Sequence, residues 1–245
     1  MRLENKTAVV TGGTRGLGRA IADAFLREGA RVVVASRSRG DWSAPEDVPG
    51  AEAFFHNVDV GAPDSPRRLM DAAADRWGSL DIVVANAGVS RPGTVDKLPP
   101  EHWEEVLRTN VTGVFHCAQA AIPHLTASGS GRLITMSSVL GSRLVPGASA
   151  YGASKAAVEA LTRTLALELA SQNTTANCLA PGFIDEGMGV QLRGNAAVWD
   201  RYRPKLASER MGLGEEVASA ALFLAGDDSS YVNGAVLEVN GGLLW

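Results

Sequence analysis

The chain has 245 residues, of which 45% are hydrophobic and 20% charged, a composition typical of globular proteins and not of disordered, fibrous or membrane proteins. Its 23 basic and 27 acidic residues give a net charge of −4, and we expect no nucleic-acid partner because such binding needs clustered Lys and Arg. The two cysteines cannot build a disulfide scaffold, and we find no signal peptide or membrane-spanning apolar run. We expect a cytoplasmic protein with no metal site and no membrane partner.

Strand-like and helix-like segments alternate along the chain, beginning with an apolar run at 7–10 and a helix at 16–29. The run at 31–36 is β-branched and apolar without alternation, which is typical of a parallel strand covered on both faces. The later predictions are strands at 51–58, 81–85, 132–136, 174–179 and 235–239 and helices at 63–77, 101–125, 151–170 and 215–226.

This alternation predicts an α/β fold with a doubly wound parallel sheet, the Rossmann fold, of about seven strands with helices on both faces. We predict one domain over residues 1–245, with a substrate-loop insert at 183–211. In such sheets ligands bind outside the carboxyl ends of the strands, where the strand order reverses. Functional motifs are therefore expected directly after strands.

The first such motif is a glycine-rich turn between the first strand and the first helix, as in dinucleotide-binding loops. Glycines there let the backbone approach a pyrophosphate, and the helix N-terminus offers unpaired N–H groups and a positive dipole end. A strand-to-helix turn also uses glycine for structural reasons alone, and the flanking strand and helix favour the ligand-binding interpretation. The expected cofactor contacts in this turn are Gly12, Thr14, Arg15, Gly16, Leu17 and Gly18.

The end of the second strand indicates which dinucleotide binds, because a carboxylate there bonds the ribose 2′-OH of NAD. Ser36 occupies that position and Arg37 follows it, and Arg37 together with Arg15 can pair with a 2′-phosphate. We therefore predict NADP(H) as the cofactor; the alternative is that Arg37 is an ordinary solvated residue. Asp59 and the adjacent Val60 follow the third strand, and we expect them beside the adenine.

Tyr151 and Lys155 lie four residues apart on a predicted helix and therefore on one face of it. An ammonium group beside a phenol stabilises the phenolate and lowers the tyrosine pKa, as a general acid/base requires. The alternative is a helix-surface pair without function. Ser138 argues against that alternative, because it closes the fifth strand at the same sheet edge and its hydroxyl can hold a carbonyl oxygen.

These motifs resemble those of the short-chain dehydrogenase/reductase family, in its single-domain branch, over nearly the whole chain. The matching features are the glycine loop, Asn86-Ala87-Gly88, Asn110, Ser138 thirteen residues before Tyr151, Lys155 and Pro181-Gly182. The resemblance implies that Tyr151 is the general acid in reduction and that Ser138 orients the carbonyl. It implies that Lys155 binds the nicotinamide ribose and that Asn110 holds a water of the proton relay.

The resemblance also implies further cofactor contacts at two loops. Those contacts are Asn86, Ala87 and Gly88 after the fourth strand, and Pro181, Gly182 and Ile184 after the sixth. The sequence departs from the family pattern at Glu186, where Thr is usual, and a carboxylate beside a diphosphate is unfavourable. We therefore expect this loop to bind the cofactor differently. Asn240 also replaces a more usual Asp near the end of the chain.

The predicted function is an NADPH-dependent ketoreductase acting on a small carbonyl compound, or in reverse on an alcohol. The chain is most similar to the 3-oxoacyl-carrier-protein reductases and related carbonyl reductases. Members that act on carrier-bound substrates use basic residues at 127–131 and 170–172, and this chain has none there, so a free ketone is equally favoured. The alternatives are a noncatalytic NADP-sensing or scaffold protein, and an enoyl reductase, which would need a longer tyrosine-to-lysine spacing.

Substrate contacts are expected from two variable segments, before Tyr151 and after Gly182. They are Leu140, Arg143, Val145, Phe183, Met188, Trp199 and Tyr202. Trp199 and Tyr202 either form a movable lid or pack the insert against its own domain. The long helices resemble those that pair across family subunits, and the apolar tail at 243–245 favours assembly, so we predict a homo-oligomer, a tetramer or dimer.

Overall fold

The computed structural model describes residues 1–194 and 196–244, and a parallel sheet runs through it. Its strands are β1 (Thr7–Thr11), β2 (Arg31–Ser36), β3 (Ala53–Asn57), β4 (Ile82–Ala85), β5 (Arg132–Met136), β6 (Thr175–Pro181) and β7 (Val236–Val239). They form one seven-stranded sheet in the order β3-β2-β1-β4-β5-β6-β7, and every neighbouring pair is parallel. The predicted doubly wound α/β fold is confirmed.

Helices cover both faces of this sheet. They are α1 (Gly16–Arg27), α2 (Asp64–Trp77), α3 (Pro100–Leu107), α4 (Gly113–Ala127), α5 (Ser149–Leu169), α6 (Met188–Arg193), α7 (Ala196–Tyr202) and α8 (Gly214–Ala225). Successive side chains of a strand point to opposite faces. Accordingly Val9 of β1 is buried with side chains of α2, α4 and α5, whereas Val10 is buried with side chains of α1 and α8. Burial on both faces explains why the strands read as apolar runs without alternation.

The predicted helix at 101–125 is present, but it contains a π-helical turn that the sequence pattern did not predict. The structure has α3, then a π-helical turn at Arg108–Thr112, then α4. The reason lies in Asn110 within the turn, whose side chain bonds the backbone of Val89 in a neighbouring loop. An extra residue in a helical turn is a frequent feature of functional sites, because it re-aims one side chain without ending the helix.

The C-terminal prediction at 243–245 falls partly on Trp245, which lies outside the described residues. Within the part of the chain that the structure describes, no helix is both long and apolar enough to span a membrane. The same residues contain no group of three or more His, Cys, Asp or Glu side chains arranged to hold a metal ion.

Candidate active site

The candidate site lies at the carboxyl edge of the sheet, where β1 and β4 are neighbours and the strand order reverses. Thr11 ends β1, and its Oγ1 accepts hydrogen bonds from the backbone N–H groups of Asn86 (3.0 Å) and Ala87 (3.1 Å) after β4. The Asn86 side-chain amide donates back to the Thr11 carbonyl at 2.8 Å. The glycine loop and the Asn86 segment are therefore fixed to each other at the point where such folds bind ligands.

Two glycines of the loop are required by close approach of the chain. Gly12 has φ +66°, and a Cβ added there would lie 2.8 Å from Asn86 Nδ2. A Cβ on Gly18 would lie 2.5 Å from the same nitrogen and would overlap the Gly12 carbonyl oxygen. Any side chain at either position would push the loop away from β4, so these glycines keep open a narrow cradle at the start of α1.

The rest of the loop leads into the N-terminus of α1, which begins at Gly16 and has no acidic residue in its first turn. Thr14 Oγ1 lies 3.2 Å from the Ser36 hydroxyl, which joins the loop to the end of β2. Arg15 is exposed, and Leu17 is half-buried. This arrangement fits a pyrophosphate, because the open helix N-terminus offers N–H donors to an anion.

At the end of β2, the structure places Ser36 and Arg37 beside the glycine loop. The Ser36 hydroxyl donates to the Ser38 carbonyl, and the Arg37 carbonyl accepts from Asn57 Nδ2 at 2.7 Å. The Arg37 side chain is exposed. Its main chain is thus held by β3, whereas its guanidinium extends into solvent at the sheet edge.

Asp59 and Val60 follow β3, as predicted, and both have contacts within the protein. Asp59 Oδ1 accepts from the Gly61 N–H at 3.0 Å, and Oδ2 lies 3.4 Å from Arg108 Nη1. Val60 is 5% exposed, and its carbonyl contacts His116 Nδ1 at 3.0 Å. These bonds fix the shape of the loop after β3.

Asn110 is fully buried in the π-helical turn. Its Oδ1 accepts from the Val89 N–H at 2.8 Å, while Nδ2 donates to the Val89 carbonyl (2.9 Å) and to Ser154 Oγ (3.1 Å). A Cβ on Gly88 would lie 3.3 Å from Asn110 Oδ1 and 3.7 Å from Lys155 Nζ. The amide therefore clamps the loop after β4 against α5, one residue from the glycine that borders the lysine.

The Ser138 side chain is close enough to the Tyr151 phenol to lower its pKa. Ser138 begins the short 3-10 turn at Val139–Gly141, and its Oγ accepts from the Leu140 N–H at 3.2 Å. Burial raises the pKa of Tyr151 to about 12, and the neighbouring Ser138 hydroxyl opposes that rise only in part. The lowered tyrosine pKa expected from the sequence is not found in this structure, because burial outweighs the neighbouring groups.

Lys155 lies one turn after Tyr151 and is 4% exposed. Its Nζ donates to the Met136 carbonyl at 2.7 Å and lies 5.4 Å from the centroid of the Tyr151 ring. Burial lowers the pKa of Lys155 to about 8, because removal from water disfavours the ammonium form. The predicted placement of Tyr151 and Lys155 on one helix face is therefore present.

The loop after β6 lies beside the end of β7. Pro181 ends β6, and a Cβ on Gly182 would lie 2.8 Å from Asn240 Cβ, so only glycine fits this approach. Ile184 is 5% exposed and forms a parallel bridge with Gly212. This loop is thereby held at the same sheet edge as Ser138.

The Glu186 side chain lies between the start of α1 and the start of α8, where it lines one cavity with Gly16 and Gly214. A Cβ on Gly214 would lie 2.9 Å from Glu186 Cγ, so the side chain rests against the N-terminus of α8. A carboxylate at a helix N-terminus is favourable because of the helix dipole. The backbone beside it meets the glycine loop, since a Cβ on Gly16 would lie 3.3 Å from Gly187 Cα.

The structure describes all seven predicted substrate residues. Phe183 and Tyr202 stack with ring centroids 5.1 Å apart, and Met188 is 53% exposed at the start of α6. The Arg143 guanidinium lies 2.7 Å from Glu238 of β7. The remaining three are partly buried: Leu140 in the 3-10 turn, Val145 in the loop before α5, and Trp199 in α7.

Glu159 is a site residue that the sequence motifs did not indicate; its carboxylate is 7% exposed and lies four residues after Lys155. Its Oε1 accepts from the Ser137 hydroxyl at 2.8 Å. A Cβ on Gly141 would lie 2.5 Å from that oxygen, so the turn that follows Ser138 rests directly on the carboxylate. The i, i+4 spacing from Lys155 was the available signal, because it places Glu159 on the same helix face.

The chain is similar to known proteins over nearly its whole length. The family model described as enoyl-(acyl carrier protein) reductase matches residues 12–244. The chain is 36% identical over 245 residues to a 3-oxoacyl-[acyl-carrier-protein] reductase of Chlamydia trachomatis, with 98% of both chains covered. The enzymes of the same name from Thermotoga maritima and Escherichia coli are 36% and 34% identical, with 100% and 99% coverage of both chains. The crystal structure of a levodione reductase is similar with a TM-score of 0.93, at 28% identity and 98% coverage of each chain.

The fold, the site and these similarities define a nicotinamide-dependent oxidoreductase that acts on CH–OH and C=O groups. The chain belongs to the short-chain dehydrogenase/reductase family, as its motifs predicted. The dinucleotide cofactor of that family, NAD(P), fits the cradle formed by Gly12, Gly18 and the N-terminus of α1.

Proposed function

We propose that this protein is an NADPH-dependent ketoreductase that converts the carbonyl group of a small molecule into an alcohol, and the reverse. The observation that carries this proposal is the placement of Tyr151 beside Ser138 and Lys155 at the carboxyl edge of the sheet, with the Lys155 Nζ 5.4 Å from the centroid of the Tyr151 ring. A noncatalytic cofactor-binding protein would have no need for a protonated phenol, a serine hydroxyl and a buried ammonium group at one place. The four-residue tyrosine-to-lysine spacing argues against an enoyl reductase.

The reaction adds a hydride to the carbonyl carbon and a proton to its oxygen. The glycine loop and the N-terminus of α1 would hold NADPH, which would supply the hydride when bound. Tyr151 holds its proton at neutral pH, because its pKa is about 12, and we assign it the general-acid role. Ser138 donates a second hydrogen bond to the carbonyl oxygen. The Lys155 ammonium, below its pKa of about 8, stabilises the phenolate that remains until it is reprotonated from solvent.

The choice of NADPH over NADH rests on the end of β2. Ser36 stands where a carboxylate would bond a ribose diol, and its hydroxyl lies 3.2 Å from Thr14 of the glycine loop. The exposed guanidinium groups of Arg15 and Arg37 flank this point. Both can pair with a 2′-phosphate in charge-assisted hydrogen bonds, and no acidic side chain at position 36 repels it.

Replacing Tyr151 with Phe tests the general-acid role. We expect Tyr151→Phe to lower kcat for ketone reduction by about 10²–10⁴-fold, the usual contribution of a positioned acid. The variant should bind NADPH as the wild type does, as judged by quenching of protein fluorescence. Reduction at wild-type rates by the Phe variant, across a panel of cyclic and linear ketones, would show that Tyr151 is not the acid.

Replacing Arg37 tests the cofactor preference. We expect Arg37→Ala to raise the KM for NADPH about 5–30-fold and to leave the KM for NADH unchanged, because one charge-assisted phosphate contact is lost. Arg39→Ala is a matched control, since the Arg39 guanidinium stacks on Trp42 and bonds its carbonyl within the same loop. A wild-type enzyme that uses NADH more efficiently than NADPH would contradict this part of the proposal.

A second candidate is a 3-oxoacyl-carrier-protein reductase proper, which the names of the relatives favour. The segments at 127–131 and 170–172, by contrast, carry no basic residue for an acidic carrier. Comparing kcat/KM for a 3-oxoacyl carrier protein with that for the same acyl group on a short thiol decides between them. A carrier-bound substrate preferred by more than about tenfold, equivalent to about 1.4 kcal/mol, would favour this second candidate.

We also propose a homo-oligomer in the cytoplasm. Large apolar side chains on the outer helix faces support assembly, among them Phe115 of α4 (45% exposed) and Leu167 of α5 (83% exposed). Both cysteines are buried and unpaired, which is consistent with a reducing compartment.

A further inference from the structure

A chain of side-chain hydrogen bonds at the end of β7 reaches toward the segments expected to contact substrate. Glu238 of β7 places Oε1 2.7 Å from Arg143 Nη1, in the loop that precedes Tyr151. Its Oε2 accepts from Asn240 Nδ2 at 2.6 Å, and Asn240 Oδ1 in turn accepts from the Gly242 N–H at 2.9 Å. One carboxylate therefore joins the loop before the candidate acid to the C-terminal segment at 240–244.

The C-terminal segment pairs in turn with the chain that follows the helices of the insert. Three backbone hydrogen bonds of 2.8–3.1 Å join 205–208 to 241–244, and Leu206 forms an antiparallel bridge with Leu243. Leu206 is only 2% exposed, so this bridge is part of the packed interior. The paired segment begins three residues after Tyr202, whose ring stacks on Phe183.

Close contacts at the same place leave the C-terminal segment little freedom. Gly241 has φ +64°, and a Cβ there would lie 2.6 Å from Ser208 Oγ. Asn240 packs on Gly182, where a Cβ would lie 2.8 Å from Asn240 Cβ. The segment therefore contacts the base of the insert on one side and the loop after β6 on the other.

The Arg143–Glu238 pair is suited to hold this arrangement. The hydrogen bond from Arg143 lowers the pKa of Glu238 and raises that of Arg143, so both are charged across the neutral range. The arginine side chain is 21% exposed and the glutamate side chain 37%, so water screens the pair only in part.

We propose that Glu238 and Asn240 are positioning residues of the substrate site, which hold the loop before Tyr151 and the base of the 183–211 insert at a fixed separation. This inference rests on the proposed reductase function and adds a role for the C-terminal segment in it. Neither residue is expected to touch the reacting atoms. They act by setting the distance between the two segments that enclose the carbonyl compound, and therefore the size of substrate that fits.

Hydrogen–deuterium exchange tests, without any measurement of turnover, whether Glu238 and Asn240 hold the two segments in place. In Glu238→Ala and in Asn240→Ala, we expect faster exchange in peptides covering 203–211 and 240–244 than in the full wild-type chain. Glu52→Ala is a matched control, because Glu52 also bonds an arginine (Arg31, 3.4 Å) and a side-chain N–H (Trp77, 2.9 Å), at the opposite end of the sheet. Unchanged exchange at 203–211 in both test variants would overturn the proposal.

Kinetics test the positioning role on the same variants. We expect the KM for a bulky ketone to rise about three- to fivefold in Glu238→Ala with kcat nearly unchanged, as for the loss of one ion pair of about 0.7–1 kcal/mol. The double variant with Arg143→Ala should raise the KM by less than the product of the two single effects, because the two residues share one contact. An unchanged KM and unchanged ranking of small and bulky ketones would overturn the positioning role even if exchange increased. If the wild type reduces no ketone, the proposed function fails, and the exchange measurement still decides whether Glu238 couples the two segments.

Discussion

Lys155 is buried, where an ammonium group is less favourable than in water, and its protonation state therefore changes at a pH near neutrality. Burial brings its pKa from the ordinary 10.5 to about 8, whereas the Tyr151 phenol stays protonated up to about pH 12. Below pH 8 the site therefore holds an ammonium group and a phenol together. Above pH 8 the phenol keeps its proton, but the charge that would stabilise its conjugate base is lost.

We therefore expect kcat/KM for carbonyl reduction to fall as pH rises through about 8, because the Lys155 ammonium group of the free enzyme loses its proton there. This fall is the descending limb of the pH profile. In Lys155→Met the limb should disappear and the rate should be low at every pH. Lys97→Met, at an exposed lysine, should keep the wild-type profile. A descending limb that persists unchanged in Lys155→Met would assign it to another group.

The same shift has a consequence for stability. Because the folded-state pKa of Lys155 lies below its unfolded value of 10.5, the unfolded chain binds more protons between pH 8 and 10.5. The free energy of unfolding should therefore gain from this group as pH rises through that window. Urea unfolding of the wild type and of Lys155→Met should show a stability difference that changes in favour of the wild type between pH 8 and 10.5.

Glu159 accepts a hydrogen bond from Ser137, the residue that precedes Ser138. Its removal should lower kcat more than it weakens substrate binding. We expect Glu159→Leu to lower kcat about tenfold, because the 3-10 turn after Ser138 loses the acceptor on which it rests. Glu159→Gln keeps an acceptor oxygen and should stay within about twofold of the wild type. Arg163→Met removes the 3.6 Å ion pair and leaves the Ser137 bond, so it serves as the control. Equal losses in Glu159→Leu and Arg163→Met would show that the ion pair, and not the hydrogen bond, matters.

At the scale of elements, the strands and the glycine loop could be predicted because their signals are local. A strand covered on both faces must be apolar throughout, and a loop that passes within van der Waals distance of Asn86 must use glycine. The π-helical turn could not be predicted, because it depends on a bond from Asn110 to Val89, which lies 21 residues earlier. The Arg143–Glu238 pair spans 95 residues and leaves no periodic trace in the sequence.

The π-helical turn gives a prediction at this scale. Asn110→Ala removes the partners of the partly buried Val89 N–H and carbonyl groups, and we expect a loss of about 3 kcal/mol in the free energy of unfolding. Urea denaturation followed by circular dichroism measures this loss. Asn57→Ala, which removes an exposed amide that also bonds a backbone carbonyl, should cost well under half as much. Equal losses in both variants would show that Asn110 does not stabilise the turn.

At the scale of the whole molecule, one layer of helices presents large apolar side chains to solvent. The α4 and α5 layer carries Phe115 and Leu167, two large apolar side chains that the chain itself does not cover. Isolated exposed leucines are ordinary, but on adjacent long helices they favour pairing with a second copy through a self-complementary, two-fold interface. The site itself faces the carboxyl edge of the sheet, so such pairing would leave it open.

We therefore expect light scattering to show a dimer or tetramer at micromolar concentration, and Leu167→Glu to shift it toward smaller species. Burial of one leucine contributes about 2 kcal/mol, and a two-fold interface buries it twice, so the dissociation constant should rise by at least about 100-fold. Leu213→Glu, at a leucine 53% exposed before α8 on the other face, should leave the assembly intact. A wild-type protein that scatters as a monomer at these concentrations would contradict the assembly, whereas dissociation by both variants would place the interface elsewhere.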